Sequence, residues 1–253
     1  MVSINPIVAF ELEGVSLQFG QYCALGNIDL TIYEGERVAL VGSSGAGKST
    51  LLSLLNGTRS PTLGTVRILG RNLIQLTPRQ QRVVRRQVGT IYQQFHLVDR
   101  MRAIHNVNAG HLGRWSLLKA IVSLFWPLEI DTAARALTRV GIPDKLYERT
   151  SQLSGGQQQR VAIARVLVQN PAAILADEPI SSLDPQNSRE VLDLLVDLSR
   201  QTGKTLVVSL HEIEFARSHC DRAIGLSDGR ILFDLPTRDL SAAQLEELYR
   251  RRD

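Results

Sequence analysis

Apolar and polar positions follow two different periods along this chain, and the place where the period changes divides it. Between Phe10 and Leu69, the short runs Glu11–Leu17, Ile28–Ile32, Arg37–Val41 and Val66–Leu69 carry β-branched or alternating apolar residues and predict strands, with Glu34-Gly35 as a turn. Thr77-Pro78 predicts a helix start with Pro at the first helical position. Arg79, Arg82, Arg85 and Arg86 follow at helical spacing, where a solvated face is expected rather than a binding patch. Val88–Tyr92 then reads as a strand running into Gln93-Gln94-Phe95.

Residues 101–150 change to the helical period. Ala103–Leu112, Ser116–Trp126 and Asp131–Val140 are separated by Gly113, Pro127 and Gly141-Ile142-Pro143, which predicts a helical subdomain inserted into an α/β core. Within the second of these, Leu117, Leu118, Ile121, Leu124 and Phe125 share an amphipathic face, expected to pack in the core rather than to dock a partner. The α/β pattern then returns. A helix opens at Ser154-Gly155-Gly156-Gln157 and runs to about Gln169, and the buried-type strand beginning at Pro171 ends in Asp177-Glu178. Ser181-Ser182-Leu183-Asp184-Pro185 is a turn leading into the helix Gln186–Arg200. Strands follow at Thr205–Leu210, Ala223–Leu226 and Arg230–Leu235, the last two around Asp228-Gly229, before a charged terminal helix.

Composition narrows this picture only modestly. The 253 residues suffice for one large domain or two modest ones, and 29 Lys+Arg against 25 Asp+Glu give +4, which suits nucleic acid, nucleotide or an anionic membrane surface equally. Cys23 and Cys220 have no metal-ligand spacing, so reduced thiols in a cytoplasmic setting are expected and no structural disulfide. Met1 to Phe10 lacks the pattern of a secretory signal. The most apolar run, Leu117 to Trp126, has about half the roughly 20 residues needed to cross a bilayer, and Lys119 interrupts it, so the chain is not expected to be integral to a membrane.

Candidate chemistry centres on Gly42-Ser43-Ser44-Gly45-Ala46-Gly47-Lys48-Ser49-Thr50, set between a strand and a helix. Glycines let successive N–H groups curl around phosphate oxygens, the helix start adds partial positive charge, and Lys48 reaches the β- and γ-phosphates. Ser49 would then ligate Mg²⁺. Gln93, at a strand's carboxyl end, can coordinate Mg²⁺ or orient water. Asp177 is placed to hold Mg²⁺ and Glu178 to polarise an attacking water. His211 either contacts the γ-phosphate or is structural. Phe19, beside Gly20 and Tyr22, either stacks on an adenine ring or simply packs. Ser154 with its two glycines is a second helix start carrying anion-binding N–H groups.

Taken together, Gly42–Thr50, Gln93, Leu153–Arg160, Ile174–Glu178, Ser182–Asp184 and His211 resemble the ordered motifs of ATP-binding-cassette ATPases: Walker A, Q-loop, signature, Walker B, D-loop and H-loop. Phe19 matches the adenine-stacking aromatic, often Tyr in that family, a departure that still allows stacking but removes a hydroxyl. Asn106–Pro127, Gln157–Arg160 and Ser209-Leu210-His211 look most like the ATPase subunits of phosphonate-type importers. The resemblance implies an α/β P-loop NTPase fold with an antiparallel β subdomain and an inserted α-helical subdomain. Residues 1–253 would be one ATPase domain, with 1–100 and 151–253 as the core and 101–150 as the helical part. It further implies a head-to-tail dimer in which ATP on one chain's Walker A is closed by Ser154, Gly155, Gly156 and Gln157 of the other, with Asp184 in the D-loop between them. The implied setting is the cytoplasmic face of the membrane, with transmembrane permease subunits, an extracytoplasmic substrate-binding protein, ATP and Mg²⁺.

Two alternatives share these motifs. An exporter or lipoprotein-release ATPase would carry all of them, and only the 101–130 segment favours the importer. A soluble cassette ATPase acting on nucleic acid or ribosomes would be expected to bring a coiled coil, a tandem cassette or a zinc module, none of which the sequence displays, so no nucleic-acid partner is expected.

Overall fold

The computed structural model describes residues 6–181 and 183–249. Ser182 of the expected D-loop lies outside the described residues. In chain order the strands are β1 (Val8–Phe19), β2 (Tyr22–Tyr33), β3 (Arg37–Val41), β4 (Leu63–Ile68), β5 (Arg71–Asn72), β6 (Val88–Ile91), β7 (Ala173–Ala176), β8 (Thr205–Leu210), β9 (Arg222–Ser227) and β10 (Arg230–Pro236). The helices are α1 (Lys48–Leu55), α2 (Pro78–Arg85), α3 (Ala103–Asn108), α4 (Leu117–Phe125), α5 (Ile130–Arg139), α6 (Gly155–Gln169), α7 (Pro185–Thr202), α8 (Ile213–His219) and α9 (Ala242–Tyr249).

The strands form two sheets. One is antiparallel, ordered β2-β1-β4-β5; the other runs β10-β9-β3-β8-β7-β6, parallel except for the β9–β10 hairpin. Near-continuous apolar runs belong in the second sheet because both of its faces are covered. In β3, Val38 and Leu40 point into the core shared with the antiparallel sheet and α1, whereas Ala39 and Val41 point into the core built with α3, α5, α6 and α7. β7 divides the same way, Ala173 and Leu175 on one side and Ile174 and Ala176 on the other. Their parallel direction brings the carboxyl ends of β3, β6, β7, β8 and β9 to one edge of the sheet, where such sheets bind ligands.

Helix starts follow local chemistry. Thr77 and Gln80 form a reciprocal capping box at α2, and Ser154 and Gln157 form another at α6. Asp184 caps α7 by accepting the Asn187 N–H at 3.1 Å. α8 was not expected from the sequence: it has seven residues, and no side chain caps it.

The expected core packing of α4 is overturned. Leu117, Leu118 and Phe125 are 78%, 74% and 77% exposed, and Ile121 and Leu124 are exposed with them. The side turned inward is the narrow one, where Ser123 is buried and α4 rests on α3. Spacing reveals that a helix has an apolar face but not whether the rest of the chain covers it. The arginines of α2 are exposed, which fits a solvated face and a binding patch alike. Three of them, Arg82, Arg85 and Arg86, also join Arg114 along a cleft of about 520 Å³ between α2 and the carboxyl end of α6.

Candidate active site

β3 delivers the chain to Gly42, where φ is +152° and a Cβ would lie 2.2 Å from the Leu226 carbonyl oxygen. Only glycine fits there. At Gly47, φ is +106°, and this left-handed residue is the N-cap from which α1 starts. Lys48, 4% exposed, opens that helix; its ammonium donates to the carbonyls of Gly42 at 2.8 Å and Ser43 at 3.0 Å. Its Nζ stands 3.9 Å from Glu178 Oε1. Burial pulls Lys48 below the ordinary lysine value, opposed by the nearby charges of Glu178 and Asp177.

The acidic pair sits at the carboxyl end of β7. Asp177 Oδ1 accepts hydrogen bonds from Ser49 Oγ at 3.0 Å and Ser209 Oγ at 2.9 Å, joining α1, β7 and β8 at one point. Glu178 adopts φ +46°, a left-handed conformation uncommon for a residue with a side chain. Its N–H donates to Ser209 Oγ at 2.7 Å, and its Oε1 lies 2.6 Å from His211 Nε2. Gln93 follows β6, and the segment after it turns through two left-handed residues, Phe95 and His96. Arg165 of α6 holds that turn by donating to both of their carbonyls, at 2.8 and 2.7 Å. Burial lowers the Arg165 pKa from the usual arginine value, with Tyr92 acting against it.

A cavity of about 350 Å³ is lined by Phe19, Tyr22, Ala24, Ser44, Gly45, Gly47, Lys48, Ser49, Thr50, Gln93 and Glu178. Phe19 is 40% exposed, and the Arg59 guanidinium lies over its ring at 4.7 Å. The structure thus gathers the expected aromatic, the glycine loop, Gln93 and Glu178 around one space, with Asp177 and His211 joined to it by hydrogen bonds. It does not bring Ser154, Gly155, Gly156 or Gln157 there. Their capping box sits at the start of α6, and a Cβ on Gly155 would meet nothing within 4 Å. Asp184 likewise bonds Asn187 of its own helix, and this, with the helix amides, lowers its carboxyl pKa.

Sequence reading missed Ser209 and Arg165. Each left a signal, a lone hydroxyl in the apolar stretch 206–210 and a lone cation in the apolar stretch 161–168. A buried strand or helix face admits such a group only where it has a partner.

A family model described as "ABC transporter" matches residues 25–181, and the chain belongs to that family. It is 50% identical over 244 residues to "Phosphonates import ATP-binding protein PhnC 1" of Nostoc sp. strain PCC 7120, covering 96% of this chain and 92% of that protein. A Rhizobium etli protein called "Phosphonates import ATP-binding protein PhnC" is 42% identical over 240 residues, 95% of this chain and 85% of the relative. Among solved structures, the dimeric post-hydrolysis state of the ATP-binding cassette MJ0796 bound to ADP and Pi superposes with a TM-score of 0.78 at 34% identity, covering 91% of this chain and all of that one. The fold class is therefore that of the ABC ATPase cassettes.

Proposed function

We propose that this chain is the ATP-hydrolysing subunit of a membrane importer for phosphonates or a related phosphorus oxyanion. The cavity shared by Phe19, the loop of residues 42–50, Gln93 and Glu178 carries the ATPase part of this reading, and the similarity to proteins named for phosphonate import supports the substrate class. In that cavity the loop amides and Lys48 hold the triphosphate and Phe19 stacks on the base. The nucleophile is a water that Glu178 polarises, and His211, hydrogen-bonded to Glu178, faces the γ-phosphate.

Mg²⁺ fits the donors present. Ser49 Oγ and Asp177 Oδ1 are 3.0 Å apart, and Gln93 lines the same cavity. All three offer oxygen, and the set is incomplete without phosphate and water, as this ion prefers. Its chemistry would be to neutralise charge on the phosphate oxygens.

The chain works as a head-to-tail pair. Ser154, Gly155, Gly156 and Gln157 form a helix start outside their own chain's cavity, which supports their closing a partner's γ-phosphate, with Asp184 beside the seam. Triphosphate favours the closed pair and hydrolysis releases it, so an attached partner can follow the cycle. The division we propose is an α/β core from residues 1–100 and 151–253 with 101–150 as the helical part, of which the structure describes 6–181 and 183–249.

No helix among the described residues is long and apolar enough to cross a membrane, and the proposed reading assigns the transmembrane path to separate permease subunits. The exposed face of α4 and the arginine-lined cleft beside Arg114 are the surfaces offered to them, on the cytoplasmic side. Substrate choice rests with an extracytoplasmic binding protein. ATP hydrolysis by the complex reconstituted in proteoliposomes, with methylphosphonate, phosphite and phosphate supplied through the binding protein, tests this. Stimulation by at least one of these oxyanions is expected; indifference to all three excludes the reading.

A further inference from the structure

The His211 carbonyl has left the β8 ladder, which ends at Leu210, and α8 does not start until Ile213. Residues 211 and 212 therefore belong to no regular element. Among the described residues, the His211 imidazole makes one hydrogen bond, to Glu178 Oε1 at 2.6 Å, and its side chain is 42% exposed. Its aim thus depends on where the main chain puts it.

α9, far along the chain from the motifs, supplies a hold on that main chain. The helix is seated by Leu248, 1% exposed, and by Leu245 against the same core. Its first turn is fixed by Ser241, which accepts the Gln244 N–H at 3.3 Å and donates its own N–H to Gln244 Oε1 at 2.9 Å. So docked, α9 carries Tyr249 to the loop, where its hydroxyl donates to the His211 carbonyl at 2.7 Å.

We propose that Tyr249 is a positioning residue for ATP hydrolysis, its hydroxyl anchoring the His211 main chain so that the imidazole stays against Glu178. The inference rests on the roles proposed for His211 and Glu178. Ser209 holds Glu178 from one side of the pair through its N–H, and Tyr249 holds His211 from the other. Displacing a reacting group by about 1 Å can cost about a hundredfold in rate, so one hydrogen bond to the two-residue link between β8 and α8 has leverage. The phenol donates this bond in its protonated form, which burial, and then Glu214, favour further by raising its pKa above the usual tyrosine value.

The test compares Tyr249→Phe, His211→Ala and the double variant of the full chain by single-turnover and steady-state ATP hydrolysis, with thermal melting alongside. Tyr249→Phe, which keeps the ring, is expected to lower kcat by about three- to tenfold while KM for ATP stays within about twofold and the melt is unchanged. In the His211→Ala background, the same change is expected to have no further effect, because the group it positions is gone. An unchanged kcat in Tyr249→Phe, a rise in KM alone, or an equal loss in both backgrounds overturns the proposal. If His211→Ala itself turns over at the native rate, the reading of the site fails and Tyr249 falls with it. A slow His211→Ala beside a normal Tyr249→Phe defeats only the role of Tyr249.

Discussion

Ser209 Oγ accepts the Glu178 N–H at 2.7 Å and so fixes a residue with a side chain at φ +46°. The same hydroxyl donates to Asp177, so one buried serine sets both acids of the pair. Ser209→Ala should leave the Glu178 N–H unpaired, which costs about 1–3 kcal/mol. The expected outcome is a lower melting temperature and a kcat reduced by roughly tenfold or more, as Glu178 loses its aim. A melt and turnover equal to the native protein's would show that the strained conformation holds without Ser209.

Glu178→Gln keeps size and hydrogen bonding but removes the carboxylate. Turnover should fall by about 10²–10⁴-fold while ATP binding survives and ATP-bound dimers accumulate. Lys48→Ala differs in kind. It deletes the buried ammonium beside the loop carbonyls and should weaken nucleotide binding itself. Equilibrium binding of ATP to the two variants, read beside their turnover, separates the roles.

The outward face of α4 reverses what its spacing predicts, and the substitutions that report on it are Leu118→Asp and Phe125→Asp. Both side chains are about three-quarters exposed, at 74% and 77%. Surface changes of this kind usually alter stability by less than about 0.5 kcal/mol. Melting and isolated ATPase should stay near native, whereas co-purification with the permease and substrate-stimulated turnover should be lost. A large drop in the melting temperature of the isolated chain would return α4 to the core.

Shared sites can be tested in mixed dimers with Glu178→Gln in both chains. One chain adds Lys48→Ala and the other Gly155→Asp, which places a carboxylate where an incoming γ-phosphate would be repelled. A Cβ at Gly155 meets open space, so the second variant should fold. Neither should close with itself. Together they should form ATP-dependent dimers holding close to one nucleotide per pair, seen by size-exclusion chromatography. Dimers of either variant alone, or no trapped nucleotide on mixing, would count against a shared site.

The two thiols should differ sharply. Cys220 is 5% exposed, and burial first, then Asp221, pushes its pKa up to about 12, with Arg37 opposing; Cys23 is exposed beside the cavity residues Tyr22 and Ala24. Alkylation needs the thiolate. At pH 8 one equivalent should react, at Cys23; a second should react only on unfolding. The native state holds the Cys220 proton more tightly than the unfolded chain. Its contribution to stability is therefore complete below the ordinary thiol value of 9.0 and should be lost as pH rises from there toward about 12. Titration with Ellman's reagent, native and denatured, checks the count.

Features that depend on local chemistry can be read from the chain alone. The glycine loop, the serine, threonine and aspartate caps, the apolar strand runs and the acids at the end of β7 are legible because backbone sterics, helix-end hydrogen bonding and side-chain period act within a few residues. The ordered motifs are equally readable, since each is a short string. Which groups meet, and which faces are covered, depends on packing between elements distant in the chain. Ser49 and Asp177 lie 128 positions apart and Tyr249 and His211 38, and no period links either pair. The apolar stripe of α4 has the spacing of a core helix, and its outward direction follows from α3 offering contact only to the narrow side around Ser123. Ser209 and Arg165 are visible as polar interruptions, yet their partners, the Asp177 carboxylate and Glu178 N–H for the one and the Phe95 and His96 carbonyls for the other, become neighbours only once β7, β8 and α6 have packed.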